Sequence, residues 1–358
     1  MANYGPALSD LCACFRGEVP KQADWLSIIG LANQTLTTPA LMDFAIRFDA
    51  ELPDDVRRYI QLIFERNVTR NDRLREQLIE TVEAINARGI VPTLFKGAAM
   101  LVTAPPAQRG ARLMSDLDLM VQPHEVEATM QALAAIGYCE HNRNAPGFAW
   151  WIELMRLDDV GMIDLHRELP GPEVFYQGLG NVARHCQIVQ VGHGKAYIPN
   201  AICQALILIV HDQFRDHDYW TGDIDLRHLL QLRDLAASSE GVDWEKLAAL
   251  MPGQLGRNAV ETQLVALFDL LRVDIPAKMR AGFIPRLQQR RRLLQARFPA
   301  LRPAMLSLAI LDYWNHRNYM DRLQDGRKLS PVRKWTPPKI SSLRFLFALA
   351  NSRRAGKA

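Results

Sequence analysis

Two aspartates, Asp116 and Asp118, alternate with Leu117, Leu119 and Val121 in the stretch Arg112-Leu-Met-Ser-Asp-Leu-Asp-Leu-Met-Val121. On a β-strand successive side chains point to opposite faces, so the two carboxylates share one face. Their apolar neighbours place that face near a core, where two like charges are costly unless a cation lies between them. Just upstream, in Leu94-Phe-Lys-Gly-Ala-Ala-Met100, Gly97 permits close backbone approach and Lys96 adds positive charge, as does Arg112. This is the equipment of a site for a metal-chelated polyphosphate.

A third carboxylate comes from Gly161-Met-Ile-Asp-Leu-His166, another alternating stretch whose polar positions, Asp164 and His166, fall on one face. Set beside the first strand, it brings three carboxylates to one point. Such a cluster holds two divalent cations ~3.5–4 Å apart for in-line phosphoryl or nucleotidyl transfer. Magnesium fits, with manganese as the alternative, because it takes oxygen ligands and is bound through carboxylates and substrate phosphates. His166 has three readings: it contacts the base or the acceptor, it orients Asp164, or it is structural. His211 sits among apolar residues and reads first as a core or interface histidine, second as a residue of the cleft. Arg112 is favoured over Arg109 as a phosphate ligand. Trp150 and Trp151 fit a base-stacking wall less well than a core, and Asp223-Ile-Asp225 reads as a helix-start cap.

The elements that must position these residues form a small α/β centre between helical flanks, an α+β fold with a small mixed β-sheet. Residues 1–88 show helical periodicity: Asp24 caps a helix beginning at Trp25, Thr38-Pro39 opens another, and residues 54–88 carry an apolar stripe from Ile60 to Ile85 closed by Arg88-Gly89. Strands are expected over residues 90–95, around the Asp-Leu-Asp block, at 138–141, 148–157 and 160–165, and as a pair at 186–191 and 195–198, with a helix at 124–136. Proline at position 92 confines the first of these to a sheet edge or a strand start. Helices are expected again over 201–211, 226–237, 244–250, 259–271, 285–297 and 303–313. The division that follows is a helical region over 1–88, the α/β core over 89–198, a helical domain over 199–320 and a basic tail over 321–358.

Composition excludes several classes. The net charge of +4 over 358 residues is too small to argue for nucleic acid. Five cysteines match neither a zinc ribbon nor a disulfide framework, so reduced thiols in a cytoplasmic protein are expected, without a redox or metal role for Cys12 and Cys14. No signal peptide is visible, and no window approaches the ~18 uninterrupted apolar residues of a membrane span. The tail, with Arg327, Lys328, Arg333, Lys334, Lys339, Arg344, Arg353, Arg354 and the apolar run 343–349, suits either a helix packed on the body or contact with a protein partner or an anionic membrane surface.

Lys96-Gly97, the Arg112-x-x-Ser115-Asp116-x-Asp118 block, Gly137-Tyr138 and Ile163-Asp164-x-His166 resemble the bacterial nucleotidyltransferases related to DNA polymerase beta. The closer likeness is to the branch known as uncharacterised nucleotidyltransferases, in which Lys-Gly stands where most relatives have Gly-Ser. The resemblance covers roughly residues 80–240 and extends through His211, Asp223-Ile-Asp-Leu-Arg227, Asp234 and Asp243-Trp244. It implies that Asp116 and Asp118 bridge two metal ions. Asp164 would be the third ligand and the base toward the acceptor, with Lys96, Gly97, Arg112 and Ser115 on the nucleotide phosphates. In place of the missing hydroxyl, Lys96 offers charge. The expected activity is Mg-dependent transfer of a nucleoside monophosphate from ATP or another nucleoside triphosphate to a hydroxyl or phosphate acceptor, a small molecule, peptide or protein, with release of pyrophosphate. The alternative is a non-catalytic module that keeps the fold to bind a nucleotide or a partner. RNA as acceptor is disfavoured, because the basic residues lack interleaved aromatics.

Overall fold

The computed structural model describes residues 4–143, 151–306, 313, 316 and 356–358. The chain begins with four helices: α1 (Tyr4–Phe15), α2 (Trp25–Gln34), α3 (Met42–Arg47) and α4 (Asp54–Asn86). The side chain of Asp24 caps α2 by accepting from the amide of Ser27. Asp54 and Asp55 stand in the first turn of α4, where carboxylates complement the helix dipole. Past its far end the chain turns at Gly89, in the left-handed region at φ +75°.

The centre comprises β1 (Thr93–Leu94), α5 (Lys96–Thr103), β2 (Asp116–Met120), α6 (Val126–Ala135), β3 (Cys139–Arg143), β4 (Trp151–Met155), β5 (Met162–His166), β6 (Cys186–Val191) and β7 (Gly194–Pro199). These strands form one seven-stranded sheet in the order β3-β4-β5-β2-β1-β7-β6. The β2–β5 and β1–β7 pairs are parallel and the others antiparallel, so the sheet is mixed and the α+β expectation is met. The strand expected over 90–95 contracts to two residues in mid-sheet, between β2 and β7, with Pro92 immediately before it. A proline at that point forfeits no ladder donor inside the strand. Between β5 and β6 the glycine- and proline-rich stretch holds a 3₁₀ turn, Glu173–Leu179, that buries Phe175 and Tyr176.

After the sheet come α7 (Ala201–Val210), a π-helical turn (His211–Arg215), α8 (Asp218–Thr221), α9 (Leu226–Ala237), α10 (Trp244–Leu250), α11 (Gly253–Leu271) and α12 (Phe283–Arg297). Of the helix expected over 303–313, residues 303–306 and 313 are helical and the remainder lies outside the described residues. So does the basic tail, except for residues 356–358. Among the described residues no helix is long and apolar enough to cross a membrane.

Strand alternation decides where the core lies. Leu117, Leu119, Ile163 and Leu165 point to one face of the sheet and pack against Leu74, Leu78, Val82 and Ile85 of α4. Each such side chain stabilises by about 1.5–3 kcal/mol when fully buried. On the opposite face Phe95 and Met120 join a second cluster shared by residues of α1–α3 and α7–α11. The carboxylates of β2 and β5 therefore lie toward the helical side.

Candidate active site

Helix α4 fixes the two strands that carry the carboxylates. Four of its polar residues donate to backbone carbonyls just ahead of β2 and β5. The carboxamide of Asn67 donates to Gly110 O (2.7 Å) and Arg112 O (2.8 Å), and that of Asn71 to Arg112 O (2.9 Å). Arg70 reaches Met114 O (3.0 Å) through Nε and Val160 O (2.6 Å) through Nη2. Gln77 donates to Gly161 O (2.8 Å). Gly161 is required here, because a Cβ would lie 2.5 Å from Leu74 Cδ2 and 2.8 Å from Ser115 O. The strands are thus clamped side by side at their starts.

Their register sets the chemistry. In the parallel β2–β5 pair Asp118 lies opposite Asp164 and Asp116 opposite Met162, while Met120 faces His166. Directly opposed residues share a face, so Asp116, Asp118, Asp164 and His166 are brought together as expected. One ligand atom each from Asp118, Asp164 and His166 falls within 4.8 Å of the others. Asp118 is 2% exposed, and Oδ1 of its carboxylate accepts from Lys96 Nζ at 2.9 Å, with His166 Nε2 at 3.3 Å. His166 therefore addresses Asp118 in this geometry, and its ring lies 5.1 Å from that of Phe95. In contrast, Asp164 Oδ1 is buried without a hydrogen-bond partner.

Electrostatics follow from this arrangement. Burial, reinforced by the charges of Asp118 and Asp116, pushes the Asp164 carboxyl up to about 8. Asp116 is raised for the same reasons, burial first and Asp118 second. Burial works in that direction on Asp118 too, but the Lys96 ammonium and the His166 contact outweigh it and hold Asp118 below the usual carboxylate range. Burial lowers His166 and favours the neutral imidazole. Three carboxylates and one ammonium leave a deficit of positive charge. An orphaned oxygen on Asp164 and the oxygen-rich donor set fit a divalent cation.

Lys96 opens α5 with φ +51°, a left-handed conformation unusual for a side chain of this size and typical of sites where backbone strain serves function. Gly97 follows in the first turn, where a Cβ would meet Met114 Sδ at 2.7 Å. Ser115 is exposed, and its hydroxyl lies 3.3 Å from Asp116 Oδ1. Arg112 is half-buried, with Nε and Nη1 lacking acceptors. Arg109 instead lies 3.7 Å from Asp72 on α4. His211 begins the π turn, its Nδ1 3.7 Å from Asp216 and its ring 5.6 Å from that of His228. Burial and then the charge of Lys96 push His211 down to about 3, which favours the neutral imidazole. Trp151 lies opposite His166 in β4, and Trp150 is outside the described residues.

Sequence reasoning missed a second charged nest behind His211. Asp212, Asp216, Asp218 and Asp225 converge on Lys357 Nζ at 3.2, 3.0, 2.6 and 2.9 Å, and His228 Nδ1 is 3.4 Å from Asp225. Asp225 does cap α9, accepting from the amide of His228 at 3.0 Å, as read, but it also belongs to this nest. Glu153, opposite Asp164 in β4, was likewise missed. A cavity of about 620 Å³ lies further along the sheet, and Asp116, Asp118 and Asp164 are not among its lining residues. Thr93, Met120 and Tyr197, one row further along the same sheet face, line it together with Tyr176, Gln177 and Glu125.

The whole sheet lies within the stretch that a family model covers. Residues 21–253 of the 358 fit the model described as uncharacterised nucleotidyltransferase, and the chain belongs to that family. No curated protein matches it. Among solved structures it is similar to the antibiotic-resistance factor ANT(2'')-Ia, determined in solution, with 14% identity and a TM-score of 0.36 over 57% of this chain and 97% of that one.

Proposed function

We propose that the protein is a divalent-metal-dependent nucleotidyltransferase that moves a nucleoside monophosphate from a nucleoside triphosphate to a hydroxyl or phosphate acceptor, in the manner of the enzymes related to DNA polymerase beta. The observation that carries this reading is the register pairing of Asp118 with Asp164, with Asp116 two residues back on the same face. Asp116, Asp118 and Asp164 would hold magnesium, whose part is to neutralise the carboxylates and the phosphate charge. Asp164 carries the base: its Oδ1 is buried without a hydrogen-bond partner and so is open to the proton of an acceptor. It takes the proton of the acceptor hydroxyl as the acceptor oxygen bonds to the α-phosphorus and the bond from that phosphorus to the bridging oxygen breaks. Lys96 and Arg112 then face the negative charge gathering on the departing pyrophosphate, and the amides at the start of α5 offer it donors.

In this reading residues 89–198 supply the transfer chemistry, with Lys-Gly serving where relatives use Gly-Ser. The helical parts shape the acceptor side, where the cavity between the sheet face and the Glu173–Leu179 turn gives room for a small molecule or a peptide end. The reading is tested by incubating the protein with magnesium, a mixture of nucleoside triphosphates and pools of candidate acceptors. A mass gain of one nucleoside monophosphate on an acceptor, with matching pyrophosphate, is the expected result. Binding of nucleotide without release in any pool would instead identify a non-catalytic module.

A further inference from the structure

Helix α12 turns the ordinary amphipathic arrangement inside out. Its buried side carries Gln289, Arg291, Arg292 and Gln295, with Arg292 only 2% exposed. The outward side carries Phe283, Leu287, Leu294 and, at the C-cap, Phe298; Phe283 is 75% exposed and Leu287 52%. These four recur at intervals of four, seven and four residues, the spacing of one helical stripe. Leu301, in the short turn that follows, is exposed as well. Large apolar side chains grouped in this way on a surface mark contact with something less polar than water.

The rotation of the helix is held from within. Arg292 Nη2 donates to Gln213 Oε1 at 2.6 Å, and Arg291 Nη2 to Tyr219 O at 2.8 Å. These buried contacts to the π turn and α8 keep the polar side inward and the apolar stripe outward.

Charge narrows the partner. Arg286, Arg290 and Arg297 are exposed, and each follows a residue of the stripe by three positions, so together they line one flank of it. Between Ile275 and Leu311 the chain holds eight Lys and Arg and no Asp or Glu. A second copy of this face would set arginines against arginines. Residues 322–358 of the chain carry ten Lys and Arg against one Asp, so by charge they match the face no better. An apolar stripe flanked by arginines matches a layer with an apolar interior and an anionic surface.

We propose that α12 docks the protein on an anionic lipid bilayer. Phe283, Leu287, Leu294 and Phe298 enter the headgroup boundary, and Arg286, Arg290 and Arg297 meet the lipid phosphates. This surface lies outside the sheet, and the proposal does not depend on the nucleotidyl-transfer reading.

The test is co-sedimentation of the full chain with vesicles of phosphatidylcholine, alone or in equal parts with phosphatidylserine. The wild type is compared with Arg286→Gln/Arg290→Gln and with Phe283→Ser/Leu287→Ser, folding being followed by circular dichroism. The wild type should bind the mixed vesicles and bind phosphatidylcholine alone about tenfold or more weakly. Each double variant should lose about tenfold or more in affinity for the mixed vesicles. Both keep the basic residues 322–358, so such a loss separates α12 from the tail. If the apolar pair does not fold, the arginine pair decides, and added salt should weaken the wild type more than that variant. Equal binding of mixed vesicles by the wild type and the folded variants overturns the proposal and moves the contact to the tail. So does a wild type that leaves both vesicles unbound, including one that self-associates through this face in sedimentation velocity.

Discussion

The ammonium of Lys96 lies 2.9 Å from Oδ1 of Asp118, with the two side chains 11% and 3% exposed. It supplies the positive charge that a carboxylate buried beside two others needs. Lys96→Met should therefore cost about 3–5 kcal/mol in metal-free buffer, because Asp118 is left buried and uncompensated. Lys96→Met combined with Asp118→Asn should cost less than the sum of the two single changes. Denaturant unfolding in the presence of a chelator measures both. Strict additivity would show that the pair is not coupled.

At the next residue the prediction is steric. A methyl group at Gly97 meets Met114 Sδ at 2.7 Å and Cγ at 3.1 Å, so Gly97→Ala must shift the buried Met114 side chain just ahead of Asp116. Overpacking of this kind costs about 1–3 kcal/mol. Shortening the obstacle with Met114→Ala in the same chain should return part of the loss, as read from thermal unfolding, and should return part of the nucleotide affinity with it.

How much of this was legible beforehand depends on the range over which each feature is encoded. Asp116, Asp118 and Asp164 were readable because a strand writes its faces into every second residue, and both strands are bordered by Leu or Ile. The caps at Asp24 and Asp225 were readable because they act within three residues. Asn67, Arg70, Asn71 and Gln77 were not recognised, since polar residues within a helical stripe look like its solvent side until the partner backbone is known. Here that backbone lies between 41 and 90 residues away for Asn71–Arg112 and Arg70–Val160. The nest around Lys357 was invisible for the same reason, Asp212 being 145 residues from its lysine. Only the crowding of Asp212, Asp216 and Asp218 behind an apolar helix hinted at it.

That nest sets the acid behaviour. Burial disfavours the charged form of Asp212, yet Lys357 and His228 hold its pKa down to about 2. A carboxylate lowered on folding stabilises the native state above its unfolded pKa of about 4, and that stability is lost as pH falls toward the folded value. Unfolding free energy should thus decline between about pH 4 and about pH 2. Lys357→Ala should lower stability at neutral pH by about 3–5 kcal/mol and flatten this acid slope, as followed by urea unfolding across a pH series.

Thiol chemistry gives an independent check on the fold. Burial pushes Cys12, Cys14 and Cys203 up to about 12 and Cys186 up to about 11, while Cys139 is exposed. Labelling of the native protein with a thiol reagent at pH 8 should therefore show one fast site, abolished by Cys139→Ser. Rapid labelling at Cys12 or Cys14 would contradict the packing of α1.

The central claim is that Asp116, Asp118 and Asp164 form one metal-dependent transfer site. Pyrophosphate release from nucleoside triphosphate in magnesium, compared between the wild type and Asp116→Ala/Asp118→Ala with the same acceptor pool, tests it most directly. The account predicts release that requires magnesium and falls by about 10²–10³-fold or more in the double variant, with its fold retained. Turnover unchanged by the loss of both aspartates would contradict it.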